Sequence, residues 1–273
     1  MPDRTLPSLP DTQVIQVDNL LVRISNSAEK LTHDAANLAI NYLQSLLTHQ
    51  ETVSIVLATG NSQLKFLDKI VSSENLDWSR IILFHLDEYL GIKAKHPGSF
   101  RYYLHHKVEQ RVEPQIFNYI QGDAPQPLAE CDRYSQLLQQ QAIDLCLLGI
   151  GDNGHLAFNE PNLADFNDSQ IIKLVRLENQ TRQQQVNGGY FPNLEAVPKY
   201  AYTLTIPTIC AAKRILCLAG GSHKAEVVKK TLQNAIAPNF PATILRQQSQ
   251  AILFCDLNST AYLKTLLNQS TDS

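Results

Sequence analysis

The chain has little surplus charge of either sign. Its 23 Lys plus Arg stand against 26 Asp plus Glu, for a formal net charge of -3. It therefore lacks the basic excess of a general nucleic-acid binder, and any anion it handles must be held by a few placed groups. It also lacks long apolar runs: none approaches the roughly 18 residues of a membrane span. No membrane partner is expected. Residues 1–10 carry three prolines, an Asp and an Arg without an apolar core, which is not the composition of a signal peptide. There is no Cys-x-x-Cys pair. Of the five cysteines (Cys131, Cys146, Cys210, Cys217 and Cys255), Cys146, Cys217 and Cys255 sit inside apolar runs and read as buried reduced thiols of a cytoplasmic protein. His105 and His106 are the only clustered histidines, and adjacent helical residues do not converge on one ion, so no metal is expected. No repeat at solenoid or propeller periods is present.

What the chain has in quantity is ordinary globular material, 44% hydrophobic and 18% charged over 273 residues. No linker divides it, and residues 1–273 read as one domain. Short apolar runs alternate with longer helical stretches. Residues 53–58 (VSIVLA) precede a helical stretch over 62–71. Residues 81–86 (IILFHL) lead through a loop to a helix over about 99–109. Residues 143–150 (IDLCLLGI) follow a helix over 128–141. Residues 201–204, 215–219 and 251–255 continue the series, with helices from about Ser222 and Ser259. Continuous apolar strands are expected where helices cover both faces of a parallel sheet. The expected fold is a doubly wound α/β domain, with a mostly parallel, Rossmann-like sheet. In the first long helix Ala28, Leu31, Ala35, Leu38, Ala39, Tyr42, Leu46 and Leu47 keep three- and four-residue steps, with Asn26 as N-cap and Glu29 reaching back. Residues 162–198 are rich in Asn and Gln, contain Gly188-Gly189, and read as an irregular lid segment.

In open α/β sheets the ligand crevice lies beyond the carboxyl ends of the strands. Three polar clusters fall there. Thr59, Gly60, Asn61 and Ser62 form a Gly-containing turn opening a helix, able to offer backbone N–H groups and hydroxyls to an anion. Taken alone, the same residues read more readily as a plain turn with Asn61 or Ser62 as N-cap, since they lack the full phosphate-loop pattern. Asp87 and Glu88 follow the strand IILFHL. Carboxylates partly desolvated there acquire a raised pKa that suits a general base, or cap the next turn. Adjacent residues point apart, so at most one of the pair faces a substrate. The third cluster is GIGDNGHLAFNEP, residues 149–161: Gly149, Gly151 and Gly154, then His155, then Glu160. Glycines admit close backbone approach, and a histidine oriented by a carboxylate can shuttle protons near neutral pH.

GIGDNGHLAFNEP resembles the signature of the glucosamine-6-phosphate deaminases (isomerases), whose fold is shared with 6-phosphogluconolactonases. FHLDEYLGIKAKHPGSFRYYL resembles the same family's second signature. LATGNSQ, the Gly221-Ser222-His223-Lys224 turn, the PKYAYTLT stretch from Pro198 and the PATIL stretch from Pro241 are similar too, in order and spacing, from about Asn19 to Asn258. LAFNEP after the histidine and Tyr-Leu-Gly after Asp-Glu favour the deaminase branch, since lactonases typically read TASLFP and an Arg followed by a Pro-containing turn.

The resemblance implies a phosphosugar aldose–ketose isomerase that releases ammonia from glucosamine 6-phosphate or a close epimer. Asp87 would move a proton between C2 and C1, His155 would open the pyranose, Glu160 would orient His155, and Asn153 stands where members carry Asp or Asn. Lys224 would bind phosphate with Thr59, Gly60, Asn61 and Ser62, with Gly154 and Glu88 beside the substrate. No metal or organic cofactor is implied. An assembly of like chains is left open. Two departures stand out. The Arg that many deaminases carry about ten residues before PKYA is replaced by Gly188, Gly189 and Tyr190, leaving Arg182 and Lys199 as candidate substitutes. The run Phe166-Asn167-Asp168-Ser169-Gln170 also lacks the family's Arg, which puts allosteric control by an amino-sugar phosphate in doubt. Lactone hydrolysis and a catalytically lapsed phosphosugar binder are the rival readings.

Overall fold

The described residues open on a hairpin that the apolar-run pattern does not announce. In the computed structural model, which describes residues 12–263, β1 (Thr12–Val17) and β2 (Leu20–Ser25) pair antiparallel across Asp18 and Asn19. Asp18 takes a left-handed backbone, φ 52°, which a short polar side chain tolerates in a two-residue turn. There follow α1 (Ala28–Leu47), β3 (Val53–Leu57), α2 (Asn61–Val71), β4 (Ile81–His85), β5 (Asp87–Tyr89), α3 (Phe100–Lys107), β6 (Ile116–Phe117), α4 (Pro127–Gln139) and β7 (Leu145–Gly149). Then come β8 (Ile172–Arg176), α5 (Asn179–Asn187), β9 (Tyr200–Leu204), α6 (Ile206–Cys210), β10 (Ile215–Ala219), α7 (Ala225–Gln233) and β11 (Ala251–Asp256).

Eight strands form one sheet in the order β1-β2-β11-β10-β7-β3-β4-β6, parallel throughout except for the β1–β2 hairpin. The winding reverses between β3 and β7. From β3 the chain steps outward through β4 to β6, then returns to lay β7 on the other side of β3 and proceeds to β10 and β11. Both faces of the central strands are apolar because alternate residues enter different cores. Ile55, Leu57, Leu145 and Leu147 join α1, α2 and α3, whereas Val56, Cys146 and Leu148 join the core shared with α4 and α7. The doubly wound expectation is met on both faces.

Several local expectations are corrected. The N-cap of α1 is Ser27, whose hydroxyl accepts from the Lys30 N–H at 3.1 Å, and not Asn26. Glu29 is then one position short of where a capping box needs it. Residues 201–204 do not continue the parallel sheet. As part of β9 they pair antiparallel with β5 and β8 in a separate three-stranded sheet, order β5-β9-β8. A short apolar run looks the same in either sheet, and only pairing distinguishes them. Residues 162–198 hold β8 and α5 and are not irregular throughout. The stretch from Ser222 begins as a 3-10 turn, Ser222–Lys224, before α7. Residues 257–262 form turns, and most of the helix expected from about Ser259 lies outside the described residues. Cys131, Cys146, Cys217 and Cys255 are buried and Cys210 is half-buried, all as free thiols. Among the described residues no helix is long and apolar enough to cross a membrane.

The end of β4 is fastened from α4. The Tyr134 hydroxyl accepts from the His85 N–H at 2.8 Å and donates to the His85 carbonyl at 2.9 Å, with both residues fully buried. Removing it strands two buried backbone groups, so Tyr134→Phe is expected to lower stability by about 1–3 kcal/mol. Urea unfolding of the two chains measures this.

Candidate active site

The three polar clusters meet at the carboxyl ends of β3, β4 and β7, with the reversal point of the winding between β3 and β7. After β3, Gly60 stands at the N-cap position of α2 with φ 98°, a conformation that glycine adopts freely. No side chain caps this helix start. The Gln63 N–H donates to the Gly60 carbonyl at 3.0 Å, which leaves those of Asn61 and Ser62 at the positive dipole end, a setting that suits an anion. The reading of Asn61 or Ser62 as N-cap is set aside, since both are helical residues of α2. Ser62 lies toward β7: a Cβ placed on Gly149 would stand 3.3 Å from its Oγ. Thr59 and Gly60 line a small cavity with Ser99, Tyr103 and Tyr190, and the Tyr103 hydroxyl donates to the Gly60 carbonyl at 3.3 Å.

Asp87 and Glu88 are not in a loop but begin β5, and their roles separate by direction. Glu88 is buried at the start of α3. Its carboxylate accepts from the N–H groups of Tyr89 (2.8 Å), Phe100 (3.1 Å) and Arg101 (2.8 Å) and from the Ser99 hydroxyl (2.6 Å). Those four bonds occupy Glu88 in capping α3, the second of the uses the sequence allowed, and none is left for a substrate. Asp87 pairs across to Thr203 of β9 and makes no such bonds. Burial, with the adjacent Glu88 charge as a lesser cause, holds its carboxyl well above the usual range.

After β7, residues 150–160 form a loop stitched to the small sheet. Phe158 N–H donates to Thr203 Oγ1 at 3.0 Å, and the Asn159 amide donates to the Leu204 carbonyl at 2.8 Å. Thr203 is the cross-strand partner of Asp87, so β9 joins the His155 loop to the Asp87 strand. His155 Nδ1 lies 2.7 Å from Asn153 Oδ1, which also accepts from the His155 N–H at 3.2 Å. An amide oxygen only accepts, so Nδ1 carries the proton and Nε2 is left with its lone pair. Burial, reinforced by the nearby Lys224 charge, pulls the imidazole down to about 4, and it is neutral at physiological pH. A Cβ on Gly151 would stand 2.1–2.3 Å from three atoms of the His155 ring, so only glycine leaves the ring its place. Gly154 turns the loop against Phe240, its carbonyl accepting from the Ala242 N–H at 2.9 Å.

Glu160 is buried, but its partners lie in the lid segment and not at His155. It accepts from the Glu178 N–H at 3.3 Å and interacts with Thr181, while its second oxygen is buried without a hydrogen bond. The histidine partner in this structure is Asn153. Lys224 Nζ donates to the Ile150 carbonyl (2.9 Å) and pairs with Asp152 (2.7 Å), which ties the second anion turn to the His155 loop. Arg182, a candidate for the missing phosphate arginine, is buried within its own segment and donates to the carbonyls of Val197 and Leu194. Lys199 lines a different cavity beside it. Neither replaces the Arg at the turn.

Sequence reasoning missed Asp152, Gln184 and Tyr190. Gln184 Nε2 donates to Asp152 at 2.8 Å, and the Tyr190 hydroxyl donates to Asn61 Oδ1 at 2.8 Å. The Gly188-Gly189-Tyr190 departure marked the place without indicating the contact. Among the described residues no group of three or more His, Cys, Asp or Glu is placed to hold a metal.

The Glu160 environment has a measurable consequence. Burial, with the neighbouring Glu178 carboxylate as a lesser cause, raises its carboxyl to about 7 from 4.5, against the Thr181 side chain and the Glu178 N–H, which pull it down. Between these values the folded chain holds a proton that the unfolded chain has lost. This group's contribution to stability is therefore complete below pH 4.5 and is lost as pH rises through 7. A carbon-13 titration is expected to show one Glu carboxyl moving near pH 7, absent in Glu160→Gln, and that variant is expected to lose the matching slope of stability with pH.

The family described as glucosamine-6-phosphate isomerases/6-phosphogluconolactonase matches residues 26–254. A glucosamine-6-phosphate deaminase of Lysinibacillus sphaericus is 37% identical over 211 residues, 77% of this chain and 93% of that protein. Glucosamine-6-phosphate deaminase 1 of Bacillus subtilis (strain 168) is 37% identical over 206 residues, 73% of this chain and 83% of its own. Among solved structures, a monomeric glucosamine-6-phosphate deaminase superposes with a TM-score of 0.81 at 33% identity, covering 88% of this chain and 98% of that one. A 6-phosphogluconolactonase from Shewanella baltica shares the fold, with a TM-score of 0.72 at 17% identity. This chain belongs to the glucosamine-6-phosphate isomerase/6-phosphogluconolactonase family.

Proposed function

We propose that the chain is a glucosamine-6-phosphate deaminase, converting glucosamine 6-phosphate and water to fructose 6-phosphate and ammonia. The observation that carries this reading is the joining, through β9, of a buried carboxyl (Asp87) to a neutral imidazole (His155) beside two anion-binding turns. The deaminase relatives at 37% identity supply the substrate.

The 6-phosphate is taken by Lys224, the N–H groups at the start of α2 and the hydroxyls of Thr59 and Ser62. His155 Nε2, held as an acceptor by the Nδ1–H bond to Asn153, removes the proton of the C1 hydroxyl. It returns that proton to the ring oxygen, which opens the pyranose. Asp87 then takes the C2 proton while the C1 oxygen takes one from the C2 ammonium, which gives an enolamine of the enediol type. Asp87 returns its proton to C1, leaving an iminium at C2, to which water adds, expelling ammonia. A carboxylate made more basic by burial is suited to that abstraction. Glu160 acts at a distance in this scheme, by holding the lid segment against the His155 loop. Proton transfers of this kind need no metal or organic cofactor.

Asp87→Asn is expected to lower kcat at least 100-fold, in line with the 10²–10⁴ contributed by a general base, measured as ammonia and fructose 6-phosphate released. Gly151→Ala, which drives a methyl into the imidazole, is expected to lower kcat by a similar factor while phosphate affinity holds. A panel of glucosamine 6-phosphate, galactosamine 6-phosphate and 6-phosphogluconolactone tests the substrate. Activity on the lactone alone would overturn the reading.

A further inference from the structure

Asp152 occupies the cation assigned to the phosphate. Its Oδ1 lies 2.7 Å from Lys224 Nζ, and its Oδ2 accepts from Gln184 Nε2 at 2.8 Å. One carboxylate thus bridges the phosphate lysine and α5. The same segment reaches the other anion turn through Tyr190 and Asn61. α5 is anchored at Thr181 and Arg182, the buried residues among its nine, and its second half from Gln183 on, which carries Gln184, buries none. Elements with so little buried surface open at low cost.

A carboxylate oxygen and a phosphate oxygen accept from an ammonium group at the same distance and compete for it. Lys224 has three donors, of which the Ile150 carbonyl and Asp152 use two. A phosphate on the third donor would set two anions around one lysine, with a lone positive charge to share between them. The dianion carries more charge than the carboxylate and makes more bonds, adding those from the N–H groups and hydroxyls of the β3 turn. Asp152 is 49% exposed at its side chain and can swing into water, whereas Lys224 is 14% exposed and is held by the Ile150 carbonyl.

We propose that Asp152 is a positioning residue that competes with phosphate for Lys224. An incoming phosphate displaces its carboxylate, and that displacement releases Gln184 and loosens α5. The proposal rests on the phosphosugar reading only in identifying the displacing group as the substrate's 6-phosphate. No covalent step is involved.

Calorimetric titration of the full chain with inorganic phosphate tests it. Asp152→Asn is expected to bind phosphate about fivefold tighter, the scale of one exposed ion pair removed from competition. Gln184→Ala, which weakens the hold on Asp152 without touching Lys224, is expected to tighten binding by a smaller factor. The double variant should bind no tighter than Asp152→Asn alone, because Gln184 acts through Asp152. Hydrogen exchange over residues 179–187 should quicken on adding phosphate to the native chain and show no further change in either single variant. Weaker phosphate binding in Asp152→Asn would make Asp152 a support for Lys224 and overturn the proposal. Unchanged affinity, or additive effects in the double variant, would overturn it too. These readouts need no turnover. A chain that releases no ammonia from any phosphosugar would refute the deaminase reading and leave this test intact.

Discussion

Everything at the site depends on the seam between β3 and β7. The two strands run parallel, in register at Ile55 with Leu145 and Val56 with Cys146, while the chain leaves them toward opposite edges of the sheet. Their following turns cannot be covered by a crossover helix at that point, so both open into one crevice. This places an uncapped helix start, that of α2, opposite a glycine-rich loop carrying His155. The apolar alternation of both strands, each feeding two cores at once, holds the seam rigid. Polar turns of this composition would be mobile without such a base.

The second constraint is the small antiparallel sheet. Asp87 lies beyond the end of β4, where the parallel ladder has finished, and its strand survives because β9 pairs with it. Thr203 accepts from the His155 loop and stands across from Asp87, so one residue links the Asp87 strand to the His155 loop. Glu88 completes the arrangement from the other side, tying β5 to the start of α3 with three amide N–H bonds and one from Ser99. Neighbouring carboxylates thereby separate by pleat direction, Glu88 into a helix cap and Asp87 away from it.

The charge pattern follows from the same burial. A formal charge of -3 leaves no long-range field to gather anions, and the turns supply attraction locally through Lys224 and backbone dipoles. Inside the crevice, burial favours neutral forms: the imidazole is pulled down to about 4 and the Glu160 carboxyl is lifted to about 7. Asn153 orients His155 without adding a charge.

The apolar runs determined the parallel strands, because a strand covered on both faces must be apolar throughout. Gly60, Asp87 and His155 could be named from their place just after such runs. Local order also determined the long α1 helix, although its cap fell on Ser27, since either of two adjacent polar residues can take that position and only the backbone turn chooses. Partnership across the chain was not legible. Residues 201–204 read as one more parallel strand, and Glu160 as the support of His155. Tertiary structure paired the first with β5 and turned the second toward Glu178 and Thr181. The Asp152 bridge between Lys224 and Gln184 joins residues 72 and 32 positions apart. Periodicity and motif are properties of neighbours in sequence. Which carboxylate meets which cation is decided by the packing of elements whose order in space differs from their order in the chain.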